Sequence, residues 1–165
     1  LVGLIGDLLI THDLTPDSLV IEVTEESLMV DRVRCLETLR RIRDAGIHIS
    51  VDDYGTGQAS LSYIRDLPIT ELKLDRSFLV GVPADTHNAA IIRSTVELAH
   101  ALGLPIVAEG IEDATTLAWL RTLGCDLGQG FHISRPVPLA DTKSPPPTWD
   151  GEPVDYDAVI EYALG

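Results

Sequence analysis

The chain has 165 residues, and its 12 lysine and arginine residues against 26 aspartate and glutamate residues give a formal net charge of -14 at pH 7. This balance argues against a nucleic-acid polymer or an anionic membrane as the partner, and an anionic substrate would need a cation to mediate its binding. Cys35 and Cys125 are too few and too scattered for a disulfide framework or a zinc site, and no apolar run approaches the roughly 18 residues of a membrane span.

The first 18 residues have the pattern of a helix end followed by a loop, with no strand before them. After them, short apolar runs alternate with longer segments in which apolar residues recur every three or four positions. The runs predict strands at 19–23, 47–53, 71–75, 105–110 and 126–131. The longer segments predict helices at 25–46, 60–68, 86–103 and 112–124.

This alternation of strand and helix requires parallel strands joined by crossovers, so it predicts an α/β fold. Each run carries polar residues inside it or at its carboxyl end, namely Glu22, Asp52, Asp53, Lys73, Asp75, Glu109 and Gln129. An open doubly wound sheet gathers such residues at one switch point, whereas a (β/α)8 barrel brings every strand end to one mouth. The barrel therefore fits better. A complete barrel takes about 250 residues, so we expect an incomplete one, with about five βα units and the N-terminal units missing.

The last part of the chain differs in composition. From residue 141 onward there are three consecutive prolines, six acidic residues and one basic residue, Lys143. We therefore predict one domain fragment over residues 1–140 and an acidic, proline-rich tail over residues 141–165. The apolar spacing of residues 155–165 suits a short helix that could dock on the domain.

Each polar strand position also has an ordinary structural explanation. Glu22 could lie on an exposed strand face, and Asp52 with Asp53 could cap the turn that follows them. Lys73 and Asp75, two residues apart on one face of a strand, could form a simple ion pair.

Taken together, carboxylates from several strands at one mouth would concentrate negative charge in a partly dry cleft, which is costly unless the charge is paired. Hard divalent cations with oxygen ligands, Mg²⁺ or Mn²⁺, would remove that cost, so we predict that Asp52 and Asp53 are metal ligands. Two such metals, about 3.5–4 Å apart, form a clamp for in-line attack on a phosphodiester. Lys73 would stabilise the developing negative charge, so the predicted substrate is a phosphate ester.

Five motifs carry a resemblance to a known family. In chain order they are IEVTEES, DDYGTG, LKLDRSF, IVAEGIED and GQGFHISRPVP, and the match that they belong to runs from about Leu9 to Leu139. At these separations they resemble the EAL-domain family of cyclic di-GMP phosphodiesterases. The resemblance implies a barrel with one antiparallel strand and metal-dependent hydrolysis of cyclic di-GMP to linear pGpG.

The resemblance also implies roles for individual residues. The residues that it assigns to a two-metal site holding Mg²⁺ or Mn²⁺ are Glu22, Asp52, Asp53 and Glu109, with Asp52 bridging the metals. Lys73 corresponds to the lysine near the nucleophilic water. Glu109 corresponds to the glutamate that binds the second metal or acts as general base, and Gln129 to a glutamine close to the catalytic centre.

Other positions correspond to supporting parts of the family's site. Glu25 matches the glutamate that anchors the loop after the aspartates, and Gly55 with Gly57 would let that loop change conformation and couple the site to dimerisation. The supporting acids are Asp75 and Glu112, and the expected substrate contacts are Arg135 and Pro136.

Two departures from the family pattern limit the expected activity. The Glu-Ala-Leu signature and a later metal-binding Asn would both fall before Leu1, so two metal ligands of the family have no counterpart in this chain. We expect the chain alone to be inactive. An alternative is a catalytically inactive module for cyclic-dinucleotide binding, dimerisation or regulation, and a third hypothesis is an enolase-like lyase using a strand lysine and one Mg²⁺.

The expected partners follow from the same resemblance. They are cyclic di-GMP, a second copy of the chain in a homodimer, and an upstream diguanylate-cyclase (GGDEF) or sensor domain in the parent protein. No DNA or RNA polymer is expected. The expected location is cytoplasmic, in a parent protein that could be membrane-anchored.

Overall fold

The computed structural model describes residues 1–55 and 60–136. The helices within these residues are α1 (Val2–Thr11), α2 (Ser27–Val30), α3 (Arg32–Asp44), α4 (Leu61–Asp66), α5 (Thr86–Ala101) and α6 (Ala114–Thr122). The strands are β1 (Val20–Thr24), β2 (His48–Tyr54), β3 (Glu71–Leu74), β4 (Ile106–Ala108) and β5 (Leu127–Gly128). The predicted tail, residues 141–165, lies outside the described residues. No helix in the described part of the chain is long and apolar enough to cross a membrane.

The strands form one parallel sheet in the order β1-β2-β3-β4-β5, so each strand pairs with its neighbour in the chain. Crossovers of constant hand between sequential strands place the helices on one face of the sheet, whereas a doubly wound sheet reverses direction at a switch point. The predicted α/β class is confirmed. The sequential order is that of part of a (β/α)8 barrel.

Successive residues of a strand point to opposite faces of the sheet, and β2 and β3 separate apolar from polar side chains in this way. Ile49, Val51, Leu72 and Leu74 belong to the buried hydrophobic core. The alternate positions are polar and comprise Ser50, Asp52, Glu71 and Lys73. One face of the sheet thus packs against the hydrophobic core, and the other face carries the polar side chains.

The predicted helix at 25–46 is two helices in the structure. The chain leaves helical geometry at Asp31, where φ is -146°. The Asp31 carboxylate accepts a hydrogen bond from the Arg34 backbone N–H at 3.1 Å, which makes it the N-cap of α3. The apolar periodicity continues through this break, so periodicity alone predicts one helix.

The last strand is also shorter than predicted, since β5 covers only Leu127 and Gly128. The chain then turns at Gly130, where a Cβ atom would lie 2.2 Å from the backbone nitrogen of Ile111. Glycine is therefore needed for this close approach of two backbone segments.

Candidate active site

Lys73 lies at the centre of the candidate site and is 4% exposed. Its ammonium group donates a hydrogen bond to Glu22 and lies 2.5 Å from Glu109 Oε1. Asp52 Oδ1 is 3.9 Å from the same nitrogen. The structure therefore brings together four of the residues that the sequence predicts for the site.

The sheet explains why these residues meet. Glu22, Asp52 and Lys73 stand in β1, β2 and β3, and Glu109 directly follows β4. The Glu109 backbone N–H donates to the Leu74 carbonyl at 3.2 Å, which continues the pairing of β4 with β3. Because the strands are parallel, their carboxyl ends share one edge of the sheet, where barrel enzymes place their active sites.

The charges in this cluster are strongly coupled. Burial favours the neutral amine of Lys73, but the hydrogen bonds to Glu109 and Glu22 outweigh it and raise the lysine pKa above its ordinary value. Burial raises the pKa of the Glu109 carboxyl, the hydrogen bond and charge of Lys73 lower it, and the charges of Asp52 and Glu22 add to the increase. The combined negative charge of the three carboxylates exceeds the single positive charge of Lys73.

Asp53 differs from Asp52 in both backbone and environment. Its φ is +55°, a conformation that non-glycine residues seldom adopt, and the pairing of β2 with β3 shifts register between Val51 and Tyr54. Its backbone N–H donates to Asp52 Oδ1 at 2.9 Å. Burial raises the pKa of the Asp53 carboxyl, and the negative charges of Asp52 and Asp75 raise it further. The aspartate pair thus makes turn contacts of its own at the edge of the cluster.

The end of β2 is held by Glu25. This glutamate is 3% exposed, and its Oε2 accepts a hydrogen bond from the Gly55 backbone N–H at 3.0 Å. Gly55 has φ of +96°, and a Cβ there would lie 3.1 Å from the Phe78 ring, so the position requires glycine. Gly57, the other predicted loop residue, lies outside the described residues.

Three further predicted residues, Asp75, Glu112 and Gln129, lie after the carboxyl ends of β3, β4 and β5. Asp75 accepts a hydrogen bond from the Ser77 backbone N–H at 3.0 Å and caps the 3₁₀ turn Arg76–Leu79. Gln129 follows β5, and its backbone N–H donates to the Ala108 carbonyl at 2.8 Å. Glu112 is exposed on the loop before α6.

The predicted substrate contacts lie in the segment after β5. The Arg135 guanidinium is 4.6 Å from the centroid of the Phe131 ring. Pro136 is exposed beside it. Their contact with substrate stays a prediction.

One pair of residues was missed by the sequence analysis. The hydroxyl of Ser50, which is fully buried, donates to Glu71 Oε1 at 2.8 Å. Glu22, Ser50 and Glu71 form one row across the first three strands. Ser50 precedes Asp52 by two positions and Glu71 precedes Lys73 by two, so period-two alternation could have identified both.

The fit of this cluster to a metal ion depends on donor chemistry and on spacing. Every donor side chain in it is a carboxylate, and its excess negative charge suits a hard divalent cation. Within residues 1–55 and 60–136, however, no group of three or more His, Cys, Asp or Glu side chains could hold a metal ion as placed. In this arrangement the Lys73 ammonium lies among the carboxylates instead.

The chain matches a family model and several curated proteins. The EAL domain model matches residues 2–136. The chain is 44% identical over 120 residues to the cyclic di-GMP phosphodiesterase NbdA of Pseudomonas aeruginosa. These aligned residues cover 73% of this chain and 15% of NbdA. It is 42% identical over 138 residues to the bifunctional diguanylate cyclase/cyclic di-GMP phosphodiesterase MucR of the same species. This alignment covers 84% of this chain and 20% of MucR. The chain therefore spans a fifth or less of the length of these relatives.

Solved structures share the fold. The PaMucR phosphodiesterase in its c-di-GMP complex has a TM-score of 0.78 and 41% identity, covering 82% of this chain and 55% of that one. The Klebsiella pneumoniae BlrP1 manganese/cy-diGMP complex has a TM-score of 0.77 and 33% identity, covering 82% and 34%. The resemblance drawn from the five motifs is confirmed, and the chain belongs to the EAL domain family.

Proposed function

We propose that this chain forms part of a phosphodiesterase that hydrolyses cyclic di-GMP to linear pGpG with the help of divalent metal ions. The observation that carries the proposal is the convergence of Glu22, Asp52 and Glu109 on Lys73 at the carboxyl edge of the sheet. The phosphodiesterases NbdA and MucR, and the manganese complex of BlrP1, support the substrate and the kind of cation.

The proposed metal ligands are Glu22, Asp52, Asp53 and Glu109, with Mg²⁺ or Mn²⁺ as the ion. A bound divalent cation would lower the pKa of a water molecule and stabilise negative charge on a phosphate. Because cyclic di-GMP is an anion and this chain carries a net charge of -14, cations are also needed to bind the substrate.

Lys73 has a separate role in this proposal. Its raised pKa keeps the amine protonated at neutral pH. In the present arrangement its charge pairs with Glu22 and Glu109, and release of those carboxylates would leave a positive charge for the phosphate undergoing attack. Gln129 and Arg135 are proposed as further contacts to the reacting group and the substrate.

Full activity is proposed to need more than residues 1–165. The Glu-Ala-Leu signature and the metal-binding Asn of the family have no counterpart in this sequence. We therefore propose that a preceding segment of the parent protein completes the site. A cytoplasmic homodimer, with a GGDEF or sensor domain earlier in the parent protein, is part of the same proposal.

A second candidate function is a regulatory module that binds cyclic di-GMP without hydrolysing it. The observation that favours it is the pairing of the carboxylates with Lys73, within described residues that hold no metal-ready group.

Incubation with cyclic di-GMP and Mn²⁺, followed by chromatography for pGpG, separates these functions. We expect pGpG from the parent protein and little or none from the 165-residue chain alone. Binding without pGpG from the parent protein would favour the regulatory module. If the parent protein neither binds nor hydrolyses cyclic di-GMP, both functions are refuted.

A further inference from the structure

Tyr63 makes a long-range hydrogen bond that the proposed chemistry does not use. Its hydroxyl, on α4, donates to the Leu28 carbonyl of α2 at 2.9 Å. The Arg32 guanidinium, at the start of α3, covers the same ring at 5.0 Å from its centroid. The phenol is thus held both at its oxygen and on its face.

The short helix α2 explains why this bond matters. Helix α2 has only four residues, and a helix leaves its last carbonyls without intrahelical partners. Leu28 is fully buried, so water cannot readily take the place of a missing donor. The Tyr63 hydroxyl supplies a donor from another part of the chain.

The stretch from Glu25 to Leu28 holds two segments that are separated in the sequence. Through its side chain, Glu25 binds the N–H of Gly55, directly after β2. Three residues later, Leu28 binds Tyr63 on α4. The position of this one stretch therefore affects how Gly55, and with it the end of β2, is held.

We propose that Tyr63 is a positioning residue for the candidate site. By fixing Leu28 it holds the Glu25 carboxylate against the Gly55 N–H, and this contact fixes the end of β2, where Asp52 and Asp53 lie. The effect on turnover rests on the proposed function, whereas the effect on the Gly55 hydrogen bond does not.

The first test measures hydrogen exchange at the Gly55 amide of the parent protein carrying Tyr63→Phe, which removes the hydroxyl and keeps the ring. We expect about tenfold faster exchange, because the partner of a buried carbonyl is lost. The matched control is Ser62→Ala, since the Ser62 hydroxyl, on the same helix, makes a local hydrogen bond with Ser60 at 3.0 Å. Faster exchange at Gly55 in Tyr63→Phe alone supports the proposal. Unchanged exchange at Gly55 in Tyr63→Phe, or an equal change in the control, overturns it.

The second test is a double-mutant cycle with Glu25→Gln in the parent protein, scored by turnover of cyclic di-GMP. We expect Tyr63→Phe to lower kcat about tenfold with little change in KM, and to lower it little further when Glu25 is already Gln. Additive losses would show that Tyr63 does not act through Glu25 and would overturn the proposal. If the unmutated parent makes no pGpG, the proposed function fails, and the exchange measurement alone decides the role of Tyr63.

Discussion

Lys73 is both the electrostatic centre of the cluster and a competitor for the proposed metal. It holds Glu22 and Glu109 through its ammonium group, so a cation that binds these carboxylates must displace that contact. We expect Lys73→Ala to lower turnover in the parent protein about a hundredfold or more, because a charge stabiliser is lost. Mn²⁺ affinity, measured by titration calorimetry, should stay the same or increase. A decrease in Mn²⁺ affinity would contradict the role proposed for Lys73.

Asp52 should respond differently, because it is proposed as a metal ligand. Asp52→Asn keeps the shape of the side chain and removes its charge, so both Mn²⁺ affinity and turnover should fall, turnover by about a hundredfold or more. Asp44→Asn, at an exposed position of α3, is a matched control that should change neither. Normal hydrolysis by the Asp52→Asn variant in the pGpG assay would exclude a metal-bridging role for this residue.

Glu71 should make the stability of the fold depend on pH, and the burial of its carboxyl sets the sign of that dependence. Burial raises the pKa of its carboxyl, the Ser50 hydroxyl and the charges of Lys73 and His48 lower it, and the charge of Glu22 raises it. As pH rises past the ordinary carboxyl pKa, the unfolded chain loses the Glu71 proton before the folded chain does, so this residue's contribution to stability falls.

Glu71→Gln removes this titration. Relative to the unmutated chain, the variant should therefore become more stable as pH rises above 4.5, the ordinary pKa of the glutamate carboxyl. Thermal unfolding across this range measures the difference. Glu37→Gln, at an exposed position of α3, should show no such trend, and a flat difference for Glu71→Gln would refute the argument.

At the scale of single elements, the break between α2 and α3 depends on one side chain. The Asp31 carboxylate is exposed and satisfies the Arg34 N–H, so Asp31→Ala should lower the free energy of unfolding by about 1 kcal/mol. Urea denaturation measures this change, with Glu37→Ala on the exposed side of α3 as the control. A loss no larger than in the control would mean that the cap contributes little.

The sequence predicts the elements better than their contacts. Alternating periodicities give all five strands that the sheet has within residues 1–55 and 60–136, and parallel strand ends predict that Glu22, Asp52, Lys73 and Glu109 meet. Periodicity cannot show the break at Asp31, because apolar spacing continues across it. Nor can it show that Lys73 binds the carboxylates or that Tyr63 reaches Leu28, because such contacts depend on tertiary distances between residues far apart in the chain.

At the scale of the whole molecule, the sheet of the described residues ends in β1 and β5. The residues of β1 are half-buried or exposed, and a groove of about 300 Å³ runs beside this strand, with Ile21 and Val23 in its lining. Leu127 of β5 is 40% exposed. Unpaired strand edges beside apolar surface favour association between chains.

We therefore expect the 165-residue chain, prepared alone, to be oligomeric or aggregation-prone in light scattering. Adding the preceding segment proposed above should restore a uniform species and pGpG formation together. If the chain alone is a uniform monomer with full activity, the edges of β1 and β5 do not drive association and the proposed set of metal ligands is wrong.

The sequential strand order also has a consequence for biosynthesis. Because each strand pairs with the one made just before it, the sheet can grow on the ribosome one βα unit at a time. The cluster around Lys73 grows in the same order, since its members are distributed from Glu22 in β1 to Glu109 after β4. A nascent chain would thus carry three paired strands before Lys73 has met the last of its carboxylate partners.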